Sequence, residues 1–211
     1  MIGRLASLAA GGFAFLALVG CAAPDGSDEG GPPIRVTTFE TPASAPPFAL
    51  TDQAGRRVAL DGLRGRVVLM TFLYTRCPDV CSLMAATLNT ALRAFEAGDP
   101  VSVLAVSVDP QGDTPAAVDD YVDRLGLLPG FRYLTGTPTE LAAVWKAYGI
   151  AAQQRLDAPI TEHTAATYLI DARGARRALY RDDAPADLIV RDVRALLRED
   201  GVVRAGGGQV R

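Results

Sequence analysis

Apolar and polar residues change their rhythm several times along the chain, and each change marks an element. Val67–Tyr74 is a near-continuous apolar run, which suits a strand buried on both faces. Val101–Val108 repeats the pattern. Between them, Leu83, Met84, Leu88, Leu92 and Phe95 recur at mostly helical intervals. That spacing predicts a helix from Pro78 to about Ala97 with these residues on its apolar face. Thr114-Pro115 and Thr137-Pro138 place proline just inside two further helix starts, with ends expected near Leu125 and Tyr148. Phe131–Leu134 reads as a short strand between those helices. Ala165–Ile170 and Arg177–Tyr180 flank the turn sequence Asp171-Ala172-Arg173-Gly174 and predict a hairpin. Pro185–Leu197 predicts a closing helix. Near the front, Phe48–Thr51 and Val58–Leu60 around Asp52-Gln53-Ala54-Gly55 predict another hairpin.

The resulting order has crossovers early and a hairpin late. It predicts an α/β mixed sheet flanked by helices, the order of a thioredoxin-like fold with an N-terminal β-hairpin and an inserted helical unit. This domain is expected over residues 46–200. Residues 201–211, with three consecutive glycines from Gly206, read as a flexible tail. Residues 21–45 are rich in Pro, Gly, Ser and acidic side chains at their start, have little to bury, and read as a flexible tether.

Residues 1–20 have one charge, Arg4, then an apolar run ending in small residues, the order of a secretory signal. The run is short for a membrane span. It closes in Leu18-Val19-Gly20-Cys21, which resembles a bacterial lipobox. The expectation is a signal peptide cleaved ahead of a lipidated Cys21, with an uncleaved anchoring helix as the alternative. Either reading puts the domain in an extracytoplasmic compartment where thiols can oxidise.

Composition narrows the function. With 49% hydrophobic and 21% charged residues, the chain can fold around a core. A net charge of −3 excludes a general nucleic-acid-binding surface. Lys146 is the only lysine, and the arginines form no clustered patch along the sequence. Three cysteines and one histidine at these spacings exclude the usual zinc fingers.

The chemistry concentrates at Thr75-Arg76-Cys77-Pro78-Asp79-Val80-Cys81, where a strand runs into a helix. With Pro78 as first helical residue, Cys77 is expected at the cap, where unpaired N–H groups favour a thiolate. Arg76 adds a positive charge to the same end. Cys81, one turn on, is expected on the same face. Such a pair can chelate a metal ion, or close a disulfide near the upper limit of bridgeable distances. His163 precedes the strand that should face this helix in a thioredoxin-like fold, and its neighbours carry no proline. Two thiolates and one imidazole make a soft three-coordinate site suited to Cu(I), whereas Zn(II) calls for a fourth ligand. Asp109 and Asp113 follow a central strand, at the edge where sites form in open α/β sheets. Asp113 is expected to help cap the next helix. Asp109 is equally a capping residue or a group that positions His163, steers a cation or shuttles a proton. Met84 is expected to pack in the core.

Three blocks together resemble the Sco/SenC family. They are Phe72-Leu73-Tyr74-Thr75-Arg76-Cys77-Pro78-Asp79-Val80-Cys81, then Val106-Ser107-Val108-Asp109-Pro110 with Asp113-Thr114-Pro115, then His163 with Tyr168-Leu169-Ile170-Asp171. The resemblance implies a membrane-tethered, thioredoxin-like copper protein that helps load the dinuclear copper site of cytochrome c oxidase. It gives Cys77, Cys81 and His163 the metal-ligand roles; Arg76, Asp109 and Asp113 are, from their own positions, candidate neighbours of those ligands. The implied cofactor is copper as Cu(I), with Cu(II) left open. The implied partners are the copper-bearing oxidase subunit, other periplasmic copper chaperones or thiol reductases, and the membrane through a lipid anchor. The chain departs from the family pattern at Arg76, where His is expected, and at Ser82, where Pro is expected. A thiol–disulfide oxidoreductase that reduces partner cysteines, or a redox or copper sensor, uses the same pair. A peroxiredoxin-type peroxidase is disfavoured by Tyr74, where such enzymes need Thr.

Overall fold

The computed structural model describes residues 36–78, 80–96, 98–151, 165–199 and Gly201. Eight strands form one mixed sheet. In chain order they are β1 (Val36–Ser44), β2 (Ala49–Asp52), β3 (Arg57–Ala59), β4 (Val67–Leu73), β5 (Val101–Ser107), β6 (Phe131–Thr135), β7 (Ala166–Ile170) and β8 (Ala175–Arg181). The helices are α1 (Val80–Arg93), α2 (Pro115–Leu125), α3 (Pro138–Tyr148) and α4 (Ala186–Glu199). Across the sheet the strands run β1-β8-β7-β4-β5-β6-β2-β3. Only the central pairs β4–β5 and β5–β6 are parallel. The expected mixed α/β architecture, with its front hairpin β2–β3 and late hairpin β7–β8, is present.

The apolar runs Val67–Tyr74 and Val101–Val108 became the centre of the sheet, because parallel strands covered on both faces need no polar side. Every residue of β4 and β5 is buried. They pair in register from Val67↔Val101 to Leu73↔Ser107. Tyr148 on α3 stacks near Phe48, Phe72 and Tyr168 and ties α3 to the sheet. Its hydroxyl donates to the Pro46 carbonyl at 2.8 Å, and the Tyr168 hydroxyl donates to the Tyr148 carbonyl at 2.6 Å. Burial without a partner would be costly for these hydroxyls. Thr114 and Thr137 cap α2 and α3 ahead of their prolines, and Gly126 and Gly149 close them in the left-handed conformation, as the sequence signals predict.

Two expectations require correction. Residues 36–44, read as part of the tether, form β1, which pairs antiparallel with β8 from Val36↔Tyr180 to Ser44↔Ala175. The sequence signal was weak because most of β1 is exposed. Its backbone supplies the ladder, while few of its side chains enter the core. The second correction concerns α1, described from Val80 rather than from Pro78. Leu83, expected on the apolar face, is 62% exposed. Met84 is buried in the core as expected.

Candidate functional site: a clamped cysteine loop at the sheet edge

At the C-terminal ends of β4 and β5, two loops leave the sheet side by side. Residues 74–78 lead from β4 towards α1, and residues 108–114 lead from β5 to α2. The Val108 N–H donates to the Leu73 carbonyl at 2.9 Å, so the loops start in register. Cys77 lies in the first loop and is half-buried, while Cys81, the second residue of α1, is fully buried. Both are free thiols.

Cys77 therefore sits ahead of the helix start rather than at its cap. Its backbone N–H turns back to the Tyr74 carbonyl at 3.3 Å, closing a tight turn ahead of α1. The Cys77 and Cys81 thiols are within hydrogen-bond reach of each other. Burial pushes the Cys81 thiol well above its ordinary value. Its hydrogen bond with Cys77 adds to this, and a backbone hydrogen bond from Tyr74 works the other way. The Tyr74 hydroxyl is pushed up to about 12, first by burial and then by the neighbouring Cys77 thiol. Cys81 is thus held as a protonated thiol in a niche walled by two tyrosines, Tyr74 and Tyr121. The Tyr121 hydroxyl donates to the Cys81 carbonyl at 3.0 Å.

The second loop grips the first at two points. Asp113 is buried. Its Oδ1 accepts from both the N–H and the hydroxyl of Thr75, each at 2.8 Å. Its Oδ2 accepts from the Ser107 hydroxyl at 2.6 Å and from the Tyr133 hydroxyl at 2.9 Å. Burial pushes the Asp113 carboxyl up, against these four hydrogen bonds, which pull it down. The expected capping role belongs instead to Thr114, which accepts from the Ala117 N–H. Asp113 points the other way and fixes the residue two before Cys77.

Asp109 makes the outer grip. Its Oδ2 pairs with the Arg76 guanidinium at 2.9 Å, and its Oδ1 accepts from the Gly112 N–H at 2.9 Å. Gly112 lies so close that a Cβ there would overlap both the Asp109 carboxylate and the Arg76 guanidinium. The charge of Arg76, the residue beside Cys77, is thus answered by Asp109 in a pair open to water.

His163 and Asp79 lie outside the described residues, as do residues 1–35, including Cys21. The structure does bring together Cys77, Cys81, Arg76, Asp109 and Asp113. Sequence reasoning missed Thr75, Ser107, Tyr121 and Tyr133 as parts of the site. Thr75 could have been found from its place beside the cysteines. The two tyrosines sit on other elements and gave no local signal.

The SCO1/SenC family model matches residues 36–198. The chain belongs to the SCO1/SenC family. It is 33% identical over 154 residues to the mitochondrial SCO2 homolog of Bos taurus, a match covering 70% of this chain but 57% of that protein. It is 28% identical over 155 residues to SenC of Rhodobacter capsulatus, covering 72% of this chain and 69% of that one. Among solved structures, it is similar to Bradyrhizobium japonicum ScoI with copper bound, at 34% identity and a TM-score of 0.65. That match covers 74% of this chain and 100% of the other. The matched region begins with β1 and ends in α4, so the edge strand belongs to the family domain.

Proposed function

We propose that this member of the SCO1/SenC family carries copper outside the cytoplasm. In this reading it takes Cu(I) between Cys77, Cys81 and His163 and passes it to the copper-bearing subunit of cytochrome c oxidase. The observation that carries the reading is the pair of thiols itself, Cys77 on a loop fixed by two carboxylates and Cys81 in the first turn of α1. Paired thiolates fit a soft, low-coordinate cation, and the similar Bradyrhizobium japonicum structure is of ScoI with copper bound. The strand register supports a third ligand from His163. β7 runs antiparallel beside β4, with Thr71↔Thr167 the last pair. The chain enters at Ala165, opposite the end of β4 that leads to Cys77. His163 is two residues upstream, a span of at most about 7 Å.

In this mechanism, binding displaces the thiol protons, so Cu(I) affinity falls as pH drops. Transfer proceeds by exchange of one thiolate ligand at a time for thiolates of the partner, without release of the free ion. Oxidation of Cys77 and Cys81 to a disulfide removes both sulfur ligands and couples loading to redox state. The pair of thiols also fits a second reading, a thiol–disulfide oxidoreductase that reduces a partner's disulfide to two thiols and is itself left as the Cys77–Cys81 disulfide.

An anaerobic competition titration against a chromophoric Cu(I) chelator separates them. His163→Ala weakens Cu(I) binding by at least about tenfold while the rate of exchange with oxidised glutathione is kept. Unchanged Cu(I) affinity in that variant would refute the ligand role. Tethering through a lipidated Cys21 in the periplasm belongs to the same proposal. Among the described residues, no helix is long and apolar enough to cross a membrane. Mass spectrometry of the membrane-extracted protein, reading a diacylglyceryl cysteine at its N-terminus, tests the tether.

A further inference from the structure

A second site lies at the opposite end of the sheet. The strands β4, β5 and β6 start there, about 20 Å of strand away from the cysteine loop. A cavity of about 590 Å³ opens between those strand starts and the end of α1. Its apolar wall includes Leu92, Phe95 and Leu128, and three guanidiniums, Arg66, Arg93 and Arg132, reach its lining. We propose that this cavity binds an amphiphilic anion, a phosphate or carboxylate bearing an apolar group, with Arg66 and Arg132 taking the charged end.

Arg66 is built to serve as an anchor. Its Nε donates to the Ser102 hydroxyl at 2.8 Å, and one terminal nitrogen donates to the carbonyls of Val101 at 2.6 Å and Asp99 at 3.3 Å. All of these partners are neutral, and among the described residues no carboxylate pairs with the guanidinium. Arg132 is half-buried, and among the described residues it has neither a hydrogen bond nor a carboxylate within ion-pair reach. Burial and the nearby Arg132 charge both push the Arg66 guanidinium below its ordinary value. The two cations therefore repel each other across a partly desolvated space, and an anion between them relieves that repulsion.

Two carboxylates also line the cavity. Asp99 accepts from the Glu96 N–H at 2.8 Å, and the Glu96 side chain is exposed. Neither forms an ion pair with the arginines among the described residues. The planar fork of arginine matches phosphate and carboxylate oxygens. The cavity is far larger than either group, and its apolar wall accounts for the remaining space.

The test is calorimetric titration of the full chain with three probes: phenyl phosphate, inorganic phosphate and dihexanoyl phosphatidylglycerol below its micelle concentration. Phenyl phosphate is expected to bind saturably, inorganic phosphate about tenfold more weakly, and Arg132→Gln to weaken phenyl phosphate binding about tenfold or more. Arg198→Gln, an exposed change on α4, is the control and keeps wild-type affinity. Tighter binding of the short-chain lipid than of phenyl phosphate identifies a lipid headgroup as the natural source, and the reverse identifies a soluble anion. No saturable binding of any probe, or equal binding by Arg132→Gln and wild type with matching thermal unfolding, would overturn the proposal.

Discussion

Asp113 should be the most costly single truncation in the cysteine loop. In Asp113→Ala four donors lose their acceptor at once. The hydroxyls of Ser107 and Tyr133 are buried, and an unsatisfied buried donor costs about 1–3 kcal/mol. The N–H and hydroxyl of Thr75 are half-exposed and recover part of their loss from water, leaving about 0.5 kcal/mol each. Against this, removing a buried carboxylate relieves its own desolvation, and a water entering the vacated space satisfies one hydroxyl. The balance is a loss of about 3 kcal/mol. Asp113→Asn keeps an oxygen for Thr75. Its amide nitrogen faces the two hydroxyls, which can rotate to accept, so the loss is about 1–2 kcal/mol. Urea unfolding of the full chain, followed by the fluorescence of Trp145, reads both values. Trp145 is well placed as a reporter because its indole N–H donates to the Ser107 carbonyl at 2.9 Å. The expected order is wild type, then Asn, then Ala. An Ala variant within 1 kcal/mol of wild type, on the same scale, would show that the four hydrogen bonds do not hold the loop, and the clamp would fail as an explanation.

Other outcomes follow from neighbouring geometry. Gly112→Ala places a methyl where Asp109 and Arg76 meet, breaking that pair and straining the turn, for a loss of about 1–2 kcal/mol. Arg76→Ala alone, at an exposed ion pair, costs less than about 1 kcal/mol, and double-mutant unfolding curves separate strain from charge. Glu140 accepts from the N–H and hydroxyl of Thr137 and pairs with Arg57. The backbone hydrogen bond from Thr137 is the largest cause, with Arg57 next, of a carboxyl held down at about 2. A folded value below the unfolded one means that this contribution is present above pH about 4.5. It is lost as pH falls towards about 2. Carbon-detected NMR of the Glu140 carboxyl should give a midpoint near 2, and Glu140→Gln should flatten the acid limb of stability in that window.

Much of the fold was legible because it rests on local pattern. The apolar runs of β4 and β5 have no polar positions to spare, so only a central place in the sheet suits them. Thr114-Pro115 with Gly126, and Thr137-Pro138 with Gly149, mark helix starts and stops through their own dihedral preferences. β1 was not legible. Nothing in Val36–Ser44 demands burial, and its strand state comes from β8, more than 130 residues later in the chain. The cysteine pair was legible as a site from two residues and their flanks. The role of Asp113 was not. An aspartate before Thr-Pro reads as a cap from its neighbours, and only the parallel register of β4 with β5 brings Thr75 within its reach.

That register also explains why the two central sequence blocks belong to one device. A metal carrier must hold its sulfurs in place before the ion arrives, yet release the ion to a competing thiol. A loop fixed only by its own backbone satisfies the second demand and fails the first. Here the residue two before Cys77 is tied to the buried end of the neighbouring loop, and the residue next to Cys77 is tied to its exposed end. The inner tie ends on a buried carboxylate and fixes the position of the turn. The outer tie is an ion pair open to water, with Arg76 two-thirds exposed, and it opens at little cost. Cys81 is held rigidly in α1, while Cys77 rides on the half that can move. Ligand exchange should therefore begin at Cys77, the more exposed sulfur. Under the proposed copper-carrier role, a partner thiolate attacking there meets a loop whose outer anchor yields, while α1 keeps the second sulfur in place.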